Sequence, residues 1–220
     1  MSKRILSFIG VFAIFAAAVI WYKSSKKDEL FTVMNVPDFS LTDQHKQTIT
    51  AEKMKGKVYV VEFFFASCPT ICPVMNKNLR MVEDQINNPN FGIISITIDP
   101  KRDTSERLAE HAEKLGVKSP NWHFLTGNRD EIVALSKQFN IYVGEDEATA
   151  EGLNHSGKFA LVDQNGKIRS RYLPNGMPML YYSGLNYTDP EGKNPSLKGT
   201  YHPEVELLIE DIHKLLNEQH

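Results

Sequence analysis

Val58-Tyr59-Val60-Val61-Glu62-Phe63-Phe64-Phe65-Ala66-Ser67-Cys68-Pro69-Thr70-Ile71-Cys72-Pro73 is the stretch from which the rest of the chain is read. Its first half, Val58 to Phe65, is short and rich in β-branched and aromatic residues, the composition of a buried strand. A helical pattern follows, and Pro73 suits a first helical turn and little else in a helix. The only two cysteines of the chain thus stand where a strand hands over to a helix. Unpaired N–H groups and a partial positive charge at a helix N-terminus lower thiol pKa values, so both sulfurs are expected to be reactive. Three intervening residues set them one helical turn apart, able to face one small ion or to close as a disulfide. A purely structural bridge is the weaker reading, because so small a loop removes little entropy from the unfolded chain.

Outward from this stretch, apolar strands at Val58–Phe65, Phe91–Ile98 and Trp122–Leu125 alternate with helical patterns, which predicts an α/β sheet with parallel crossovers. Asp103 with Glu106 reads as the cap of one helix, stopped by Gly116, and Asn128 with Glu131 as the cap of the next. A last helix begins at Pro203 and gathers Val205, Leu208, Ile209, Ile212, Leu215 and Leu216 on one face. Before it, Lys158–Asp163 and Lys167–Leu173 flank Gln164-Asn165-Gly166, a strong hairpin signal. Ahead of the main sheet, a strand at Pro37–Leu41 and a polar turn at Thr42–Gln47 read as an added hairpin. A thiol pair after the first core strand, with a final hairpin and helix, gives the fold class: α/β, thioredoxin-like, with an N-terminal β-hairpin. The redoxin spacing is two residues between cysteines and here it is three; a wider pair with a nearby imidazole is better suited to a soft metal ion.

The chain has 220 residues and a net charge of −2, with acidic and basic residues interspersed, so no basic stripe points to nucleic acid. Residues 5–22, ILSFIGVFAIFAAAVIWY, form an uncharged stretch long enough to span a bilayer as a single transmembrane helix. Lys3 and Arg4 precede it, and Trp21 and Tyr22 end it as an interfacial aromatic belt would. Ala16, Ala17 and Ala18 lie inside the apolar run rather than after it, which favours a retained anchor over a cleaved signal peptide. The expected organisation is a cytoplasmic stub at 1–4, the anchor at 5–22, a linker at 23–30 and one domain at 31–220 that carries a long loop at 174–201. A helix starting at Ile5 leaves no room for a mitochondrial presequence, so a bacterial chain is expected.

His155 precedes the Lys158–Asp163 strand, and in a thioredoxin-like sheet the loop entering that strand rises beside the active-site helix. His155 can therefore approach the cysteines. The other histidines are placed less favourably: His45 in a turn, His111 on a helix, His123 inside a strand, and His202, His213 and His220 in the C-terminal region.

Taken together, the chain resembles the Sco/SenC family of copper-handling thioredoxin-like proteins. The resemblance rests on Cys68-Pro69-Thr70-Ile71-Cys72-Pro73, on Ser95-Ile96-Thr97-Ile98-Asp99-Pro100-Lys101-Arg102-Asp103-Thr104, on Trp122-His123-Phe124-Leu125-Thr126-Gly127, and on His155. It implies Cys68, Cys72 and His155 as ligands of copper, most fittingly Cu(I). It also implies delivery of copper to, or reduction of the cysteines of, the binuclear copper site of cytochrome c oxidase. The partners it implies are the copper-bearing oxidase subunit and other copper-handling or thiol-disulfide proteins. The implied location is the bacterial inner membrane, with the domain on the periplasmic side. Two thiolates and an imidazole suit Cu(I), and the thiols must be reduced for the metal to bind. The chain departs from the family in carrying Asn154 where an aspartate often precedes the histidine, and in the length of the 174–201 loop. Met177 and Met179 in that loop are soft-metal donors, with gap-filling or partner contact the more ordinary role. Asp99 and Arg102 follow the strand beside the thiol-bearing one and read as a turn rather than as catalytic groups.

Two other functions compete. An exported thiol-disulfide reductase, with Cys68 and Cys72 as its redox pair and metal binding incidental, keeps its activity without His155. A peroxidase of the peroxiredoxin type fits the fold but lacks the threonine-rich surroundings of that family's cysteine.

Overall fold

The apolar runs form the centre of one sheet in the computed structural model, which describes Phe15 and residues 29–69, 71–145, 153–185 and 203–218. The chain begins with β1 (Phe31–Asn35), the hairpin β2 (Ser40–Asp43) and β3 (Thr48–Thr50), and β4 (Val58–Phe64). Then come α1 (Cys72–Ile86), β5 (Phe91–Thr97), α2 (Ser105–Leu115), β6 (Trp122–Thr126) and α3 (Arg129–Gln138). The short strands β7 (Val143–Glu145) and β8 (Leu153–His155) lead to the hairpin β9 (Lys158–Val162) and β10 (Lys167–Ser170), then β11 (Tyr182–Ser183) and α4 (Glu204–Asn217).

β4, β5 and β6 are parallel neighbours, with Val60 opposite Ile93 and Ile93 opposite Trp122. Every residue of β4 and β5 is buried, as strands covered on both faces require. Both crossovers step the same way across the sheet, so right-handed connections put α1 and α2 on one face. Strand alternation agrees: Phe64 meets the ring of His111 on α2, whereas its neighbour Phe63 points the other way, to Phe139 at the end of α3. α4 packs beside α1. Antiparallel β9 borders β4 on the other side, with Ala160 opposite Val61 and Phe159 opposite Glu62. β10 and β1 follow it to that edge, while β2 and β3 complete the edge beyond β6.

The added hairpin is present but displaced: its first strand is Ser40–Asp43 rather than Pro37–Leu41. Asp43 shifts the turn, because its Oδ1 accepts the N–H groups of His45 and Gln47 at 2.9 and 2.8 Å, so the strand runs up to Asp43. Gly116 (φ +71°) closes α2, and the Asn128 side chain caps α3 by accepting from Asp130 and Glu131, both as the sequence suggests. Asp103 does not cap α2. Thr104 does, accepting the Arg107 N–H, and Asp103 turns into the protein. The Asn165-Gly166 turn and the helix after Pro203 form as expected. The anchor expected at 5–22 lies, Phe15 apart, outside the described residues, and no helix among those described is long and apolar enough to cross a membrane.

Candidate thiol and metal centre

β4 ends at Phe64, and its backbone continues as a tight turn in which the Cys68 N–H donates to the Phe65 carbonyl at 3.2 Å. α1 then starts at Cys72, with Pro73 in its first turn and no side-chain cap from Ile71 at the N-cap position. The Cys68 sulfur takes up that function: it accepts the Cys72 N–H at 3.5 Å, satisfying one of the donors a helix N-terminus leaves open. Cys68 therefore stands in front of the helix, not on it, and the pair meets end-on. Both cysteines are buried thiols outside any disulfide, 8% and 2% exposed.

The expectation that the helix N-terminus lowers both thiol pKa values is overturned for Cys72. Its thiol is pushed up, first by the hydrogen bond to the Cys68 sulfur and then by burial, with Glu62 adding negative charge nearby; a backbone hydrogen bond from Phe65 opposes these. Two sulfurs in hydrogen-bond contact favour keeping one proton between them, and burial penalises a second charge. The helix dipole is the weaker effect here.

Two acidic groups lie beneath the thiol loop, Glu62, which the sequence reading passed over, and Asp103, which it read as a helix cap. Glu62 is fully buried on β4; its Oε1 accepts the Ser95 hydroxyl at 2.7 Å, and Ser95 in turn accepts the Trp122 indole N–H at 3.0 Å. Oε2 accepts nothing among the described residues. Burial lifts this carboxyl from the ordinary 4.5 to about 7, with the Ser95 bond pulling the other way. A charged residue inside an otherwise apolar seven-residue strand is the signal that could have found it. Asp103 is also fully buried: its Oδ2 accepts the Ala66 N–H at 2.9 Å and the Thr97 hydroxyl at 2.5 Å. Asp99 and Arg102 pair with each other in the turn between β5 and α2, the turn the sequence suggested.

His155 ends β8, where its backbone lies opposite Val143. Ser156 and Gly157 connect it to β9, whose Phe159 is opposite Glu62, so the backbone brings His155 to the end of the sheet from which the thiol loop leaves. Among the other described histidines, His111 on α2 has a ring nitrogen 3.1 Å from Asn76 Nδ2, and His123 Nδ1 is 3.1 Å from Asp43 Oδ2. Met177 is exposed, whereas Met179 is buried in the core. Residues 186–200 of the long loop lie outside the described residues.

The SCO1/SenC family profile matches residues 27–185. An SCO2-like protein of Rickettsia conorii is 32% identical over 147 residues, covering 64% of this chain and 70% of that one. A solved structure of BsSco, described as having a disulfide switch and as a member of the Sco family of cytochrome c oxidase assembly proteins, superposes with a TM-score of 0.65 at 24% identity, covering 86% of this chain and 97% of that one. Bradyrhizobium japonicum ScoI, solved with copper bound, gives 0.56 at 18% identity over 83% and 99%. These two structures share the fold, a mixed α/β thioredoxin type. The chain belongs to the SCO1/SenC family.

Proposed function

We propose that this protein binds copper through Cys68, Cys72 and His155, and that it delivers the metal to, or reduces the cysteines of, the binuclear copper site of cytochrome c oxidase. The observation that carries the reading is the pair of buried cysteines at the mouth of α1, where the Cys68 sulfur accepts the Cys72 N–H. Cu(I) is a soft ion that thiolates prefer, and binding it displaces thiol protons, so loading here is coupled to proton release. The copper-bound relative and the oxidase-assembly family of BsSco support the same assignment. The backbone position of His155 supports its place as third ligand. The apolar stretch at 5–22 supports an anchor in a bacterial inner membrane, and membership of the family supports a domain on the periplasmic side.

Thiol-disulfide reduction with incidental metal binding is the second reading: the Cys68 sulfur lies against the Cys72 N–H, so the Cys72 thiolate, once formed, can attack a mixed disulfide at Cys68 and release the partner's thiolate. An anaerobic titration of the reduced full chain with Cu(I) against a competing chelator separates the two. One equivalent bound, lost in Cys68→Ala and Cys72→Ala and sharply weakened in His155→Ala, is the expected result. Affinity indifferent to His155 moves the assignment to a dithiol reductase whose metal binding is incidental.

A further inference from the structure

Asp103 is fully buried where the turn after β5 meets the thiol loop, 37 residues earlier in the chain. It belongs to the turn before α2, its Oδ2 accepts the hydroxyl of Thr97 at the end of β5, and the same oxygen accepts the backbone N–H of Ala66 in the thiol loop. The other oxygen, Oδ1, faces Arg107 Nε at 3.4 Å. The carboxylate is itself held: the Asp103 N–H donates to the Asp99 carbonyl at 2.9 Å, and the Asp99 N–H donates to the Thr97 hydroxyl oxygen at 3.0 Å. From Ala66 a short relay leads to the sulfur. Ala66 lies within the turn closed by the Cys68 N–H and the Phe65 carbonyl, and that turn sets Cys68 so that its Sγ accepts the Cys72 N–H. β5 is a fully buried central strand, so the anchor point is rigid. The thiol loop otherwise leaves β4 as irregular backbone, whose position depends on such bonds.

We infer that Asp103 is the positioning residue of the thiol pair: its carboxylate fixes the Phe65–Cys68 turn against β5 and so holds the Cys68 sulfur over the first N–H of α1. This rests on the assignment of Cys68 and Cys72 as the working thiols. Holding two sulfurs in contact raises the effective concentration of each for the other, which favours both disulfide closure and joint capture of one soft ion. Loosening the turn loses both together. A hydrogen bond to a carboxylate is about twice as strong as one to a neutral carbonyl, so the charge contributes as well as the geometry.

Two readouts on the full chain test this. The first is the equilibrium of the Cys68–Cys72 pair with oxidised dithiothreitol. Two cysteine S–H bonds break and one S–S bond forms, while the S–S bond of dithiothreitol breaks and its sulfurs take up the two electrons and two protons. The second is anaerobic Cu(I) competition. Asp103→Ala is expected to shift the first equilibrium toward the protein dithiol by about tenfold and to weaken Cu(I) about tenfold, the size of one charge-assisted bond. Asp103→Asn keeps an acceptor for Ala66 and is expected to shift both about threefold in the same direction, so it serves if the alanine variant does not fold. The control is Ile168→Val, a core truncation opposite Val162, which itself pairs with Tyr59 near the start of β4, away from the thiol end. No shift beyond that control in either Asp103 variant, or a shift toward the disulfide, overturns the inference. Failure of the unmodified chain to bind Cu(I) defeats the copper assignment alone, since the dithiothreitol equilibrium still reports on Asp103.

Discussion

Buried carboxylates are treated in opposite ways in two regions of this molecule. Around the β9–β10 hairpin and α4, each faces an arginine. Asp163 takes Arg169 Nη1 at 2.8 Å as well as the N–H groups of Asn165 and Lys167. Asp211 takes Arg171 through Nε and Nη2 at 2.5 and 2.6 Å, together with the Tyr182 hydroxyl at 2.7 Å. Around the thiol loop, Glu62 has one serine hydroxyl, and Asp103 has a hydroxyl, a backbone N–H and a half-exposed arginine at 3.4 Å. Bidentate arginine pairing staples secondary structure. Neutral donors satisfy a carboxylate while leaving much of its charge uncompensated, which raises proton affinity in the neighbourhood. The difference separates a region built for holding together from one built to sense charge, and Glu62 and Cys72, both shifted upward, belong to the second.

The largest effect expected from breaking this contrast lies in the stapled region. Asp211→Ala leaves Arg171 only 17% exposed with its bidentate partner gone, and strips the buried Tyr182 hydroxyl of its acceptor. A cost of about 3–4 kcal/mol follows from the lost bidentate pair and the orphaned hydroxyl together, with Glu210 and the Leu207 carbonyl still holding part of the Arg171 charge. Urea unfolding at neutral pH measures it, and a cost below that of an ordinary surface substitution would show that the arginines do not staple this end.

Glu62→Gln is the next largest and has the opposite sign. The folded chain holds the Glu62 proton up to about pH 7, whereas the unfolded chain releases it near the ordinary 4.5. Between those values the folded state binds more protons than the unfolded one, so stability falls as pH rises through the interval, and the penalty is complete above it. Replacing the carboxyl by an amide removes a penalty of about 3 kcal/mol at pH 8 and leaves stability at pH 4 nearly unchanged. Paired unfolding curves at the two pH values check this. Equal pH profiles for the two proteins would place the Glu62 charge in a compensated site and erase the contrast with Asp211.

These two residues also mark where sequence reading stops. The central strands, the Asn128 cap, the Gly116 stop and the Asn165-Gly166 turn are local matters of periodicity, side-chain acceptors and positive φ, so they are legible one window at a time. β1 is not, because its partner is β10: Phe31 lies opposite Ser170, and no local pattern announces a pairing across so much chain. The place of the thiol pair between β4 and α1 is legible from the local pattern, yet the direction of the Cys72 shift is not. That shift depends on burial and on the neighbouring sulfur and Glu62, all supplied by packing rather than by the helix end alone. The same limit applies to Asp103. In Asp103-Thr104-Ser105-Glu106 two adjacent residues can each cap a helix, and a local rule has no means of seeing that Ala66 and Thr97 need an acceptor from one of them.

The smallest expected effect sharpens that division of labour. If Thr104 is the cap and Asp103 the clamp, Thr104→Ala removes the side-chain acceptor for the Arg107 N–H at the start of α2 and the Thr104 hydroxyl bond to the exposed Glu106. The bond is long, 3.4 Å, and lies at the surface, so water replaces part of it; a loss of about 1 kcal/mol is the upper range for such a cap. The dithiothreitol equilibrium of Cys68 and Cys72 should stay where it is, because the Ala66 and Thr97 bonds to Asp103 are untouched. A Thr104→Ala protein whose thiol equilibrium moves as far as that of Asp103→Ala would mean that the start of α2 as a whole, and not one carboxylate, positions the Cys68 sulfur. Equal stability of Thr104→Ala and the parent, with the thiol equilibrium also unchanged, would instead leave α2 held by its burial of Leu108 and Ala112 and by the Ser105 hydroxyl, which donates to the Asp43 carbonyl at 2.8 Å.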